Sequence, residues 1–387
     1  MNAERSAVLR GLLRRLAAPA LAAVLALGLA GGAAGQGQGP SGLSGLTGRG
    51  DAAPAPAPAP VDRPPAAVLP DAALAFPADH GAHPDHRLEG WHVAANLEAP
   101  DGRAFGVQWS LVRQSLSLDP AAEGWSAPQL WIARAALTSA AAHLTAEKPG
   151  RGGVGRAGAT AVPFRAWIDD WRLQSVGPAA PDAPIPPLRL TARGPGFAYD
   201  LRLVAAGPVV APQAAEPARP GGAGPAPRRY ALPFLEASGR IEMGGESLAV
   251  SGRAWLEREW SSPAPGAPAS GWDGFALHLP EGGKLTVQRL RRDGGDPLQS
   301  CALIAPDGAV ETLSPAQFTM TPVATAPVAG REIPVSWRLQ IPSRALDVTT
   351  TPLNPQAWTP AEPPWWEGPI VFRGTHSGEG WMELAGY

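Results

Sequence analysis

A chain of 387 residues with a formal net charge of −2 is long enough for two domains of ordinary size, and it shows no basic patch interleaved with aromatics that would suit nucleic acid. Its basic charge is almost all arginine, Lys148 and Lys284 being the only lysines, and its single cysteine, Cys301, excludes an intrachain disulfide. Fourteen Trp against three Tyr supply large apolar area with one N–H donor each, a composition suited to pockets and barrel ends.

Arg5, Arg10, Arg14 and Arg15 precede an apolar run from Leu16 to about Ala34, in which small residues follow as GGAAGQ. That order predicts an export signal over residues 1–34, cleaved near Ala34, and a periplasmic or secreted protein that is soluble but membrane-proximal. The other reading is an uncleaved anchor, because the run approaches the ~20 residues a span needs; its alanine and glycine make it a weak span. No cysteine stands at its end to carry a lipid. Residues 35–73 are Gly-rich and then alternate Pro and Ala, which predicts a disordered or polyproline-II linker.

The folded part is expected from residue 74. It opens with DHGAHPDHRLEGWHV, residues 79–93, which holds His80, His83, His86 and His92. The first three are spaced by three, but Pro84 interrupts helical geometry and no cysteine completes a zinc set, so no metal site is expected. Two roles stay open: hydrogen bonding at a barrel mouth, with Gly81 allowing a turn, and a ligand pocket.

Period-two alternation dominates the rest. Phe105, Val107, Trp109 and Leu111 share one face, as do Phe197, Tyr199, Leu201 and Leu203, and Val335, Trp337, Leu339 and Ile341. Further strands are predicted at 91–98, 129–137, 164–174, 187–193, 237–243, 246–260, 273–279, 283–291, 369–373 and 379–385. Long low-complexity loops are predicted at about 147–162, 206–228 and 262–270, with a domain boundary near residue 235. Many short strands between turns imply sandwiches or barrels.

SGRAWLEREWSS, residues 251–262, is the other chemical candidate. In an extended strand Arg253, Trp255, Glu257 and Glu259 point one way; Leu248, Val250, Ala254 and Leu256 point the other. Two carboxylates two residues apart stand roughly 7 Å apart at ~3.3 Å rise per residue. In a dry cavity beside Trp255 and Trp260 one of them would be a general acid. On a wet surface they would be a solvated face with Arg253 as ion partner. His278 reads as an ordinary strand histidine and Cys301 as a small core residue.

Taken in order, these motifs resemble the AttH family, which includes the carotenoid 1,2-hydratases (hydroxyneurosporene synthases of the CrtC type). The family's F-P-x-D-H-G-x-H-P is matched by Phe76, Pro77, Asp79, His80, Gly81, His83 and Pro84; Glu89 and Trp91 match its E-W-W-Y, and Phe105, Gly106 and Gln108 its G-x-x-F-G-x-Q. Gly252, Ala254, Trp255, Glu257, Glu259, Trp260, Ser261 and Ser262 resemble its G-x-A-W-x-D-x-E-W-S-S. GWDGF at 271–275, WWEGPI at 365–370 and GWMELAGY at the end resemble its later motifs. The resemblance runs from about residue 75 to 387.

It implies an all-β chain with a tandem pair of lipocalin-like antiparallel β-barrels, 74–235 and 236–387, each wide enough for one small ligand. It implies either an exported protein that binds a hydrophobic, amphipathic or lipid-like small molecule, with an ABC-transporter permease as partner, or a hydro-lyase of the carotenoid-hydratase type or a secreted hydrolase. No cofactor is implied. In the hydratases the acid is an aspartate at the position of Glu257, with Glu259 flanking it. Trp255, Trp260, Asp79, His80, His83, Trp91 and Trp272 are the expected ligand contacts. The sequence leaves the pattern in several places: Gly90-Trp91-His92 replaces Trp-Trp-Tyr, Glu257 replaces Asp, Gly274 replaces Trp, Ala231-Leu232 replaces Tyr-Ser after Tyr230, and Arg134 replaces a His.

Overall fold

Alternating side chains with one apolar face each must bury that face, and here they do so by curling two antiparallel sheets around separate cores. The structure, a computed structural model, describes residues 64–66, 73–118, 124–211, 227–262, 269–292 and 294–387. The expected export signal lies outside these residues, as do nearly all of the linker and the interiors of the loops expected at 206–228 and 262–270. Among the described residues no helix is long and apolar enough to cross a membrane.

The first sheet contains β1 (Leu88–Glu98), β2 (Ala104–Ser115), β3 (Gln129–Ser139), β4 (His143–Arg151), β5 (Ala157–Ala161), β6 (Phe164–Ile168), β7 (Trp171–Ser175), β8 (Leu188–Gly194), β9 (Phe197–Ala205), β10 (Arg228–Met243) and β11 (Glu246–Ser261). Its order is β4-β3-β2-β1-β11-β10-β9-β8-β7-β6-β5. The second contains β12 (Ala269–His278), β13 (Lys284–Arg292), β14 (Gly295–Ile304), β15 (Val310–Leu313), β16 (Thr319–Val328), β17 (Arg331–Ile341), β18 (Leu346–Pro352), β19 (Trp358–Thr359), β20 (Trp365–Gly374) and β21 (Gly378–Ala385). Its path is β15-β14-β13-β12-β21-β20-β18-β17-β16, with β19 on β20. Both sheets are nearly closed, as the tandem-barrel expectation requires.

The three apolar faces read from the sequence all point into these cores. Val107, Trp109, Leu111, Tyr199 and Leu201 pack inside the first sheet, and Val335, Trp337 and Leu339 inside the second. Residue 235 falls within β10, and both β10 and β11 belong to the first sheet, so the sheets divide between Ser261 and Ala269. The stretch 147–162 is not a loop: it holds the end of β4 and all of β5. The strand expected over 164–174 is two, β6 and β7, split by a turn at Asp169, whose φ is +52°.

β1 is buried at every position but its last, so both of its faces are covered. Trp91, Val93, Ala95 and Leu97 face the first core. On the other face His92, Ala94 and Asn96 meet the second sheet. There Asn96 Nδ2 donates to Gly380 O at 2.9 Å, and Asn354 Nδ2 to Ser139 O at 3.1 Å. The approach is close: a Cβ on Gly106 would lie 2.5 Å from Pro369 Cγ. This seam between the outer faces of two barrels is where the polar chemistry lies.

Candidate functional site

Cross-strand neighbours share a face, so the register lays out the seam row by row. On the first sheet one row runs Ala231, Glu257, His92, Ser110, Arg134, Glu147 across β10, β11, β1, β2, β3 and β4. On the second a row runs Ser300, Gln288, Gly274, Glu383, Glu367 across β14, β13, β12, β21 and β20. Trp255 flanks the first row, and Trp272, Trp365 and Trp381 flank the second.

The rows meet at His92, Glu367 and Glu383, all three buried. His92 Nε2 lies 3.2 Å from Glu367 Oε1 and 3.7 Å from Glu383 Oε1. Neither approach has hydrogen-bond geometry, and both ring nitrogens lack a hydrogen-bond partner in the protein, as does Glu383 Oε2. Glu367 is oriented by two indoles: Trp365 Nε1 donates to Oε2 at 2.9 Å and Trp381 Nε1 to Oε1 at 3.0 Å. Burial pushes both carboxyls above the usual range. For Glu367 the two indole N–H groups and Arg134 oppose that shift, whereas for Glu383 the nearby Glu367 and Glu257 add to it. Burial alone pushes the His92 ring down to about 3, so it is neutral at pH 7. Arg134, stacked 4.9 Å over Trp365, donates to Glu147 at 2.8 Å.

Two small cavities, about 40 and 30 Å³, open along the seam. Each has room for a few water molecules. They share Trp255, Glu257, Thr286 and Gln288 as walls; the first adds His92, Gly274, Trp381 and Glu383, and the second Arg229, Tyr230 and Ser300. Around them Ser110 Oγ, Gln108 Nε2, Trp255 Nε1, Trp272 Nε1 and His278 Nδ1 are buried with no hydrogen-bond partner in the protein. Buried polar atoms are normally paired, so this concentration sets the seam apart from the two apolar cores. A larger groove of about 890 Å³ lies on β7–β10, but it is open, and the ion pairs Arg189 with Asp200 and Arg193 with Asp170 stand in it.

The residues singled out in the sequence fall into two groups. Trp255, Glu257, Glu259 and Trp272 face the seam, so Glu257 points neither into a barrel nor plainly into solvent. Glu259 is buried, with Oε2 3.9 Å from Arg229 Nε. Trp272 packs with Trp365 and Ala385. Asp79, His80, His83, Trp91 and Trp260 instead close one end of the first barrel. There Glu89, fully buried, pairs with Arg113 and Arg258. Arg258 lies 3.8 Å over Trp91 and donates to Gly81 O at 2.6 Å. His83 stacks on Trp260 at 4.0 Å; its Nδ1 faces Arg258 Nη2 at 2.9 Å, so Nδ1 accepts and Nε2 carries the proton toward Asp79 Oδ1 at 3.2 Å. His80 Nδ1 and the Tyr230 hydroxyl share a hydrogen bond of 2.6 Å, and Trp91 Nε1 donates to His80 O at 3.0 Å. Three of the four clustered histidines thus serve this closure, His86 lying 3.5 Å from Ser262 Oγ, while His92 turns to the seam.

Glu367 and Glu383 were not among the expected site residues. Their motifs, WWEGPI and GWMELAGY, were readable; their meeting with His92 was not. Every lapse from the family pattern noted above, other than Leu232, lies on a seam face: Gly90, His92, Ala231, Arg134, Glu257 and Gly274.

The AttH-like family pattern matches residues 67–387. The chain is similar to a provisionally assigned AttH protein of Nitrosomonas europaea, with a TM-score of 0.71 and 29% identity over 83% of this chain and 99% of that one. It is similar in fold to kievitone hydratase from Nectria haematococca, with a TM-score of 0.63 and 16% identity over 84% of this chain and 97% of that one. No curated protein matches it by sequence.

Proposed function

The chain belongs to the AttH-like family, and from that premise we propose that it takes the unsaturated end of an apolar or amphipathic small molecule into the seam and hydrates a carbon–carbon double bond there. One observation carries the reading: Glu257 and Glu383, from opposite barrels, line one cavity whose other walls include Trp255 and Trp381.

In the proposed step the Glu257 carboxylic acid forms a C–H bond to one alkene carbon, leaving a carboxylate and a carbocation. The Trp faces stabilise that cation. Water then forms a C–O bond to it, and the oxonium proton returns to Glu257. General acid catalysis of this kind contributes about 10²–10⁴-fold. The cavities are small, so only a narrow end of the substrate fits without the sheets parting. The fold shared with a hydratase is consistent with this reading.

A binding role without turnover is the second reading, favoured by Glu257 standing one methylene longer than the family's aspartate, since ångström-scale placement governs such chemistry. Export and a permease partner belong to the proposal and rest on the N-terminal sequence and the family resemblance alone.

The test uses the full chain with an acyclic polyene in detergent micelles, read by mass spectrometry for addition of one water. Glu257→Gln should lower turnover by about 100-fold or more while binding, read from Trp fluorescence, persists. Turnover unchanged in Glu257→Gln sinks the acid assignment. Binding without turnover by the unaltered chain selects the second reading, and the absence of both sinks the proposal.

A further inference from the structure

The seam holds more acid than protonation of one alkene needs. Glu367 and Glu383 sit buried beside His92, and the hydration step moves no proton through any of the three. Both ring nitrogens of His92 are buried and lack a hydrogen-bond partner, and so is Glu383 Oε2. One ligand atom from each of the three residues can be chosen so that all lie within 4.8 Å of one another.

The spacing fits a cation. Bonds of about 2.1 Å in a tetrahedron put neighbouring ligand atoms about 3.4 Å apart. The distances from His92 Nε2, 3.2 Å to Glu367 Oε1 and 3.7 Å to Glu383 Oε1, bracket that edge. They are poor hydrogen bonds and good ligand–ligand contacts. The supporting contacts fit as well: Trp365 and Trp381 each donate an indole N–H to Glu367, fixing its carboxylate as outer contacts fix the ligands of metal sites. Three protein ligands leave a fourth position open, and the cavity beside Glu383 and His92 supplies the space for it.

We propose that His92, Glu367 and Glu383 form a site for one first-row divalent cation of the zinc class at the seam between the barrels. One imidazole with two carboxylates suits zinc, iron(II) or manganese better than calcium, which takes six to eight oxygen ligands. The site stands on these three residues and is independent of whether Glu257 protonates an alkene. If both hold, the open position faces the same cavity as Glu257 and is a place for the water that adds.

The test loads the purified full chain with Co²⁺, whose visible absorption reports its ligands, and with Zn²⁺, counted by elemental analysis after dialysis. One equivalent of each is expected, with cobalt bands of a low-coordinate nitrogen–oxygen site. His92→Gln and Glu367→Gln should lose the equivalent while circular dichroism shows the β fold intact. Trp381→Phe, which keeps all three ligands and removes one indole N–H, should weaken binding about 10–100-fold. Glu257→Gln should keep the metal, which separates this site from the acid assignment. Absence of a retained equivalent, or retention unchanged in His92→Gln and Trp381→Phe, overturns the site.

Discussion

The Cβ that Gly274 lacks would stand 2.7 Å from the indole Nε1 of Trp272, two residues earlier on the same face of β12. The buried indole therefore occupies space that any side chain at 274 would claim. Gly274→Ala should cost about 1–3 kcal/mol through overpacking, read as a lower urea midpoint. In a Trp272→Leu background the same change should cost much less, because crowding is a property of the pair. Independent, additive effects of the two changes would show that the indole yields freely.

Glu89 is buried between Arg113 and Arg258, and it also accepts the backbone N–H of His83 at 2.9 Å. The two guanidinium groups hold its carboxyl far below the usual range against burial. Glu89→Gln leaves both arginines buried without their counter-ion, which costs about 3–5 kcal/mol. Replacing Glu89, Arg113 and Arg258 together by apolar residues of similar volume should cost less than Glu89→Gln alone. A triple variant as unstable as the sum of its parts would place the cost in packing rather than charge.

His80 gives the fold an acid limb. Burial lowers its ring to about 4 from an ordinary 6.5, with nearby Arg258 acting the same way against the Pro184 carbonyl and Asp79. Between those values the unfolded chain binds a proton that the folded chain refuses. Stability is therefore complete above pH 6.5 and falls as pH drops toward 4. His80→Gln, which can still hydrogen-bond Tyr230, should flatten that limb by up to about 1.4 kcal/mol per pH unit. Urea titrations at pH 7, 5.5 and 4.5 measure it, and an unchanged slope would exclude His80 as a contributor.

Cys301 faces the second core, and burial, with Glu311 nearby, pushes its thiol up to about 12. Thiolate is the reactive form. Iodoacetamide at pH 8 should leave the folded chain unlabelled and label it once in urea. Rapid labelling of the folded chain would mean that β14 opens locally.

How much of this was legible beforehand depends on which face a residue occupies. Period two exposed the two cores because each core face is apolar throughout, as from Phe105 to Leu111. It also put Glu257 and Glu259 on one side of β11. It could not say what that side meets. On β1 the residues opposite the core are His92, Ala94 and Asn96, which alternation assigns to solvent, yet all are buried by the other barrel. Sheet-on-sheet docking is set by twist and shape, not by any local pattern, so the meeting of His92 with Glu367 and Glu383 left no mark in spacing. The closing network of Glu89, Arg258 and the early histidines was partly readable, because its members sit together in sequence or on the Trp-rich strand.

The place of β11 between β1 and β10 also sets an order in time. Until residue 261 has left the ribosome, β1 has a bare edge and the first core lacks Ala254, Leu256 and Trp260. At typical synthesis rates that wait is on the order of ten seconds, during which an unpaired strand is open to wrong partners. A fragment cut at residue 235 would remain in that state permanently. One ending just after Ser261 carries every strand of its own sheet.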